Sequence, residues 1–486
     1  MTKLEGNRFI LKEDSKLLDE VVVVGMDKQK RNTITAAVST VASDAIVNRP
    51  VTDLTSALQG NVAGLNFVTD AAPDGVGGET GAEIKFNIRG VGSINGNGGE
   101  PYVLVDGVEQ SLQNVNPNDI ETISVLKDAS AAAVYGARAA YGVVLVTTKS
   151  GRQEKTRVSY RGTVGFSSPI NMPEMMNSLE FAKYVNERND NDGVNHKFSD
   201  ALIEKMEGFM KNPYSAEFPG IGPNQNGTDW ASSMDAVYAN TDWFDYYFKD
   251  TAIRHSHNLS VTGGSEKFNY YVGLGYTYQD GLLDKVDDNL SKYNVNTKFQ
   301  IIANKWLKFN FNNNITLSIL KRPMANQTIF YGTLGQTIPN APTHYPIDSE
   351  YNDASEFRYL KESHYVQNRI SDEMSFAATI TPLPGWDIVG EMKVRFDVED
   401  NSFKRGYPTV EKPDGELKVD IGTKQGYVYP GMEWKNSKWG SYTRGNAFNY
   451  YLSPNDILRP YMGRTLLQGY GRFSDGVAGK LQWFHL

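Results

Sequence analysis

Few residues of this 486-residue chain stand in spacings that carry chemistry, and each spacing lacks a necessary partner. Ser124 to Lys127 reads S-x-x-K, a nucleophile and its lysine, but the S-D-N and K-T-G companions of a penicillin-binding site are missing. The run 90–99, GVGSINGNGG, invites a phosphate. A P-loop needs a lysine and a hydroxyl residue after its glycines, however, and the dinucleotide fingerprint needs a third glycine where Asn95 stands. His255 and His257 lie two apart, on one face of a strand, and the sequence offers no third metal ligand beside them. Neither G-x-S-x-G nor H-E-x-x-H occurs, and zero cysteines remove thiolate metal sites and a disulfide framework. The residue pattern points away from an enzyme, and it implies no cofactor.

The elements that would position a site are clearer. Residues 120–151 read as strand, helix, strand. Ile123, Val125 and Leu126 form an apolar run. Asp128 is placed to cap a helix rich in Ala129, Ala131, Ala132 and Ala133, and Gly136 can end it in the left-handed conformation. Val143 to Thr148 follows, continuously apolar over its first four residues, as a strand buried on both faces is. Upstream, Leu54, Ala57, Leu58 and Val62 fit a short helix capped by Thr52 or Asp53, with Gly60 and Gly64 turning the chain into a strand at Leu65 to Val68. Ile84 to Arg89 alternates as a half-buried strand does. Arg89 at its end is either paired inside with a carboxylate or solvated. Tyr102 to Val105 is a strand stopped by an Asp106-Gly107 turn.

After Gly151 the pattern changes to segments of about ten residues that alternate in polarity, as strands of a transmembrane barrel do. Along 267–279, Phe268, Tyr270, Val272, Leu274, Tyr276 and Tyr278 oppose Asn269, Tyr271, Gly273, Gly275 and Thr277. Tyr293 to Ile301 opposes Asn294, Asn296, Lys298 and Gln300 to an apolar face; Trp386 to Val398 does the same with Asp387, Glu391, Lys393, Arg395 and Asp397. One face suits lipid and the other a wet lumen. Val158 to Phe166 begins the series, and roughly eight strands are expected. Short turns alternate with long polar connections near 176–248, with helices at Ser178 to Arg188 and Ser199 to Met210, and near 321–368. A net charge of −8 argues against nucleic-acid binding, and no run reaches the 18 to 20 apolar residues of a membrane helix. A mean hydropathy of −0.45 is compatible with a barrel, whose strands alternate.

Four ordered motifs carry a family resemblance: LDEVVVVG (18–25), FNIRG (86–90), PYVLVDGV (101–108) and the stretch 120–151. Together they resemble the plug domain of the SusC/RagA family of TonB-dependent outer-membrane transporters. The resemblance implies an α+β plug followed by an incomplete antiparallel transmembrane β-barrel, from a parent of about 22 strands. It divides the chain into the end of a β-sandwich domain (1–17), a TonB box and linker (18–35), a plug (36–151) and a partial barrel with long extracellular loops (152–486). It makes Asp19, Glu20, Val21, Val22, Val23 and Val24 the TonB-binding segment, which would add a strand to TonB's sheet edge. Structural and gating roles would fall on Arg89, Gly90, Asp106, Gly107, Lys127 and Asp128. The implied partners are TonB, a SusD-like surface lipoprotein, an oligosaccharide or peptide nutrient and outer-membrane lipid. With no signal peptide at its start and no closing strand, the sequence reads as a piece of a longer protein. A TonB-linked signalling receptor and a secreted β-rich binding protein are the alternatives.

Overall fold

The structure, a computed structural model, describes residues 38–419 apart from 47–53, 70–79, 89–99, 128–134, 324–333 and several stretches of one to four residues. It also describes strands at 3–5, 8–10, 21–24, 27–30, 442–455 and 467–471. Two hairpins open the chain. β1 (Lys3–Glu5) pairs with β2 (Arg8–Ile10), and β3 (Val21–Val24) pairs antiparallel with β4 (Asp27–Lys30). The valine run is thus a strand, as its β-branched side chains favour. Asp27–Lys30, within the stretch read as TonB box and linker, supply its partner.

A small domain follows: β5 (Val38–Ala42), α1 (Leu54–Leu58), β6 (Leu65–Thr69), β7 (Ile84–Ile88), β8 (Tyr102–Val105), β9 (Val108–Glu109), β10 (Ile120–Leu126) and β11 (Val143–Thr148). Its sheet has the order β5-β10-β11-β8-β9, and β6 and β7 form a separate hairpin. β10 and β11 lie side by side and antiparallel, whereas β11 and β8 run parallel. The alternation along β11 places Val144 and Val146 in the core with Leu54, Leu58 and Ile123. Val143 and Leu145 join Leu104, Leu126 and Ala139 on the opposite face. Both faces of β11 are therefore covered, which is why its sequence carries no polar alternation. Gly60 and Gly64 take positive φ, as the turn after the short α1 requires, and Gly136 takes positive φ as well. The helix expected from Asp128 onward lies outside the described residues.

The second unit is an antiparallel sheet of nine strands. It comprises β12 (Arg157–Ser167), β13 (Ala252–Gly264), β14 (Phe268–Asp280), β15 (Asn289–Asn304), β16 (Leu307–Arg322), β17 (His364–Leu383), β18 (Trp386–Lys404), β21 (Tyr442–Asn455) and β22 (Leu467–Gly471). The small pair β19 (Thr409–Glu411) and β20 (Leu417–Val419) stands apart. Connections at one end are tight, such as Ser265–Lys267 and Lys305–Trp306. Those at the other end are long and partly folded, with α2 (Ser178–Asn191), α3 (Asp200–Lys211) and α4 (Trp243–Tyr247) in the first. Asn177 and Glu180 close a reciprocal capping box on α2, and Ser199 caps α3.

Register keeps one face apolar across neighbouring strands. Leu274, Val295 and Ile315 align, as do Tyr276, Tyr293 and Leu317. On this outer face Phe268, Leu274, Tyr293 and Phe376 are exposed. Aromatic rings gather at two levels: Phe268, Phe299 and Phe311 stack near the tight turns, and Tyr276, Tyr278 and Tyr293 cluster near the long connections. Ten residues separate Phe268 from Tyr278, roughly 34 Å along a strand and about 24 Å once tilted near 45°. That matches the apolar band and flanking girdles of a membrane barrel. His255 and His257 belong to the upper ring, facing outward against Tyr278, Tyr276 and Tyr160. Among the described residues, no group of three or more His, Cys, Asp or Glu is placed to hold a metal.

Candidate functional site: the seat of the small domain on the sheet

The inner face of the large sheet was expected to be wet. Where the sheet is described alongside the small domain, it is instead packed against that domain, because its polar side chains find hydrogen-bonding partners there in place of water. Asn258, Asn269, Tyr271, Lys292, Asn294, Asn296 and Lys298 are all buried.

The segment that docks is 110–119, QSLQNVNPND. Ser111 accepts from the Gln113 amide (3.2 Å) and caps a 3₁₀ turn over Leu112–Asn114; Asn116 accepts from the Asn118 amide (3.0 Å) and caps a second over Pro117–Asp119. Turns this short leave carbonyls without internal donors. The sheet supplies those donors. Lys292 Nζ donates to Gln113 O (2.9 Å), while Asn294 Nδ2 and Thr316 Oγ1 donate to Asn114 O (3.2 and 2.7 Å). Asn116 Nδ2 donates to Asn258 Oδ1 (2.8 Å).

Two glycines of β14 make room for this approach. A Cβ on Gly273 would stand 2.5 Å from Asp119 Oδ1, and one on Gly275 would stand 2.4 Å from Asn116 Nδ2. Between them and the tight turns, Tyr271 donates to Asp119 Oδ1 at 2.6 Å, with both residues buried. Burial pushes the Asp119 carboxyl above the usual carboxylate range, and the Tyr271 hydrogen bond and the Lys149 charge only partly offset it.

A second cluster holds the Asp106-Gly107 turn. Both residues have positive φ (48° and 82°), and Val105 pairs with Val108 across them, the geometry of a type I′ hairpin. Asp106 accepts from the Thr148 amide (3.1 Å) and hydroxyl (2.7 Å), tying the turn to the end of β11. Lys298 Nζ lies 2.9 Å from Asp106 Oδ2 and donates to Thr148 O at 2.9 Å. Lys393 Nζ donates to Gly107 O (2.9 Å), and Arg395 Nη1 donates to Glu109 O (2.7 Å). Arg395 Nε is 2.8 Å from Asp397 Oδ2, and Asp397 Oδ1 accepts from Ser371 Oγ (2.7 Å). The space left between turn and sheet is about 20 Å³, room for a single water.

Of the residues singled out from sequence, Asp106 and Gly107 lie in this seat. Lys127 lies beside Gly64, within the small domain. Val21, Val22, Val23 and Val24 form β3. Asp19, Glu20, Arg89, Gly90 and Asp128 lie outside the described residues. Segment 110–119 was not anticipated, although its Asn-Pro capping signal stood in the sequence. Lys298, Lys393 and Arg395 were read as lumen-facing and assigned to water.

A domain of this topology seated on the polar face of a membrane-type sheet is the arrangement of a TonB-dependent receptor, and sequence comparison agrees. Residues 30–143 match the TonB-dependent Receptor Plug Domain family. The chain is 32% identical over 325 residues to the TonB-dependent receptor SusC of Bacteroides thetaiotaomicron, covering 61% of this chain and 28% of that protein. It is 32% identical over 351 residues to the TonB-dependent receptor P26 of Formosa agariphila, covering 70% of this chain and 30% of that one. A solved structure of the RagAB peptide importer in its open-open state superposes with a TM-score of 0.64 at 24% identity, over 90% of this chain and 46% of that chain. The chain belongs to the SusC/RagA family of TonB-dependent receptors. It spans less than a third of the length of the curated relatives it matches.

Proposed function

We propose that this chain is the gate and part of the wall of an outer-membrane importer that takes up an oligosaccharide or peptide. In this reading residues 1–17 end a preceding domain and 18–35 carry the TonB box and linker. Residues 36–151 are the plug, facing the periplasm, and 152–486 begin the barrel. Asp19 to Val24 is the segment that TonB engages, with β3 leaving β4 to pair with TonB's sheet edge. A SusD-like lipoprotein covers the outer mouth, above the long connections. The protein moves its nutrient without making or breaking a bond in it.

The observation that carries the reading is the chemistry of the seat. Plug and wall meet through hydrogen bonds and ion pairs between buried and half-buried polar groups, such as Lys298 with Asp106 and Tyr271 with Asp119. Contacts of this kind can be exchanged for water when the plug is pulled, and they re-form in one register when it returns. Arg89, Gly90, Lys127 and Asp128 belong to the moving plug in this scheme, and Asp106 with Gly107 forms its hinge with the wall.

The test is deletion of Val21–Val24 from the native gene product. Uptake of labelled polysaccharide or protein digest should fall to the level of cells lacking TonB, while the amount of protein in the outer membrane stays unchanged. Undiminished uptake in the deletion strain would sink the proposal. A signalling receptor would instead lose a transcriptional response while nutrient accumulation continued.

A further inference from the structure

The long connections build a groove of about 590 Å³, within the range of small-ligand sites. One wall is a single stripe of α2, with Phe181, Tyr184 and Arg188 at helical spacing. The opposite side of that helix is anchored: Ala182 packs in the core with Phe198, Leu202 and Met206. Met175, Met176 and Met234 complete the apolar lining, and residues 335–339 face them. Methionine is unbranched and polarizable, so such a lining adapts to side chains of different shape.

The charges at the rim narrow the ligand further. Lys197 is matched by Asp235 at 2.9 Å, and that bond holds the Asp235 carboxyl below its usual range. Arg188 and Glu174 are exposed. The described side-chain contact of the Arg188 guanidinium is a long hydrogen bond to neighbouring Asn189 (3.3 Å), which leaves most of its five donors for a ligand. Glu174 precedes the start of α2 at Ser178, and Arg188 lies ten residues into the helix. At 1.5 Å per residue Ser178 and Arg188 lie roughly 15 Å apart along the helix axis, a length that about four or five extended residues span.

We propose that this groove binds a short apolar peptide with free ends, its C-terminal carboxylate on Arg188, its ammonium group on Glu174 and its side chains against the methionines. The proposal rests on the import reading above and names its substrate class. A neutral oligosaccharide would leave both charges unanswered and would meet a lining with few flat aromatic faces.

The test is calorimetry on the protein extracted from membranes in detergent. The probes are the tetrapeptide Leu-Val-Phe-Leu, the same peptide acetylated and amidated, two singly blocked forms, and maltohexaose. The free peptide should bind, and blocking both ends should weaken binding roughly tenfold or more. Arg188→Gln should weaken only peptides with a free carboxylate, and Glu174→Gln only those with a free amine. Both side chains are exposed, so neither change threatens the fold. Equal binding of free and blocked peptide overturns the proposal, as does maltohexaose binding that Met234→Ala weakens. Nutrient uptake that still needs Val21–Val24, with no peptide bound, would sink the groove alone. Uptake indifferent to that deletion would sink the import reading itself.

Discussion

Replacing Tyr271 by Phe isolates one contact of the seat. The ring stays, its packing stays, and the hydroxyl that donates to Asp119 at 2.6 Å is removed. Asp119 is a buried carboxyl already pushed up by desolvation, so a lost donor leaves an acceptor that water does not replace until the plug moves. A hydrogen bond to such a group contributes on the order of 1.5–3 kcal/mol, which raises the population of the unseated state roughly 10- to 150-fold. Hydrogen exchange reads that population directly when opening is fast and reversible. The reporting amides are Val115, which donates to Leu112 O (3.2 Å), and Asp119, which donates to Asn116 O (3.0 Å). Their exchange should quicken by that factor in the detergent-extracted protein, with β15 and β16 unchanged. Tyr270→Phe, one residue away on the outer face, is the control and should leave both amides alone. An effect within twofold of wild type at Val115 and Asp119, or acceleration spread evenly through the sheet, would refute the assignment of Tyr271 to the seat.

Two further outcomes follow from the same contacts. With no cysteine elsewhere in this chain, Asn116→Cys with Gly275→Cys can form only one disulfide within it. A Cβ at 275 lies 3.4 Å from Asn116 Cγ, so the two Cβ atoms fall within about 5 Å, close to disulfide geometry. Oxidation should abolish TonB-dependent uptake and dithiothreitol should restore it; full uptake by the oxidised protein would mean that this face of the plug never moves. Asp288, in the connection after β14, provides a pH test. Burial pushes its carboxyl up to about 6, against an ordinary value near 3.8, with a Thr80 hydrogen bond opposing the shift. The folded value is the higher one, so the ionised carboxylate costs stability above about pH 6, and that cost fades as pH falls toward 4. Corrected for intrinsic rates, exchange of the Gly281 amide, bonded to Asp288 O at 2.7 Å, should slow over that window by up to roughly 3 kcal/mol in protection. Asp288→Asn should flatten the profile, and a profile unchanged by that substitution would remove Asp288 as the cause.

Local features of this chain were legible because they are decided within a few residues. Asp106-Gly107 reads as a type I′ turn since both residues tolerate positive φ, and that is what they adopt. The alternation along 268–280 gives a strand with one apolar face, and the unalternating run at 143–146 gives a strand covered twice. Ser199 and the stretch after it give α3. The seat was not legible for a different reason. Tyr271 and Asp119 are 152 residues apart, and Lys393 and Gly107 are 286 apart. Alternation tells which face is polar but not whether water or protein answers it. Glycines 273 and 275 held a clue, since a long strand keeps glycine on one face where another backbone comes close.

The wall's own ion pairs bear on why the seat is built from cations on that side. Lys393 lies 3.2 Å from Glu391, and Arg395 lies 2.8 Å from Asp397; all four residues belong to β18. If the plug's carbonyls left, as the import reading requires, these two cations would keep counter-ions, so the inner face at that point would not become a row of unpaired positive charge. Lys298 differs. Both of its described contacts, Asp106 and Thr148, lie on the plug, and it is buried. Its head would have to be rehydrated if the plug departed, and until water reached it the charge would stand in a costly environment. In the import reading the wall's grip would thus be of two kinds: contacts at Lys393 and Arg395 that would be lost cheaply because a partner remains, and one at Lys298 that would resist separation until water entered. A pull applied through the plug would meet most resistance at the end of β11, where Thr148 and Asp106 share that lysine.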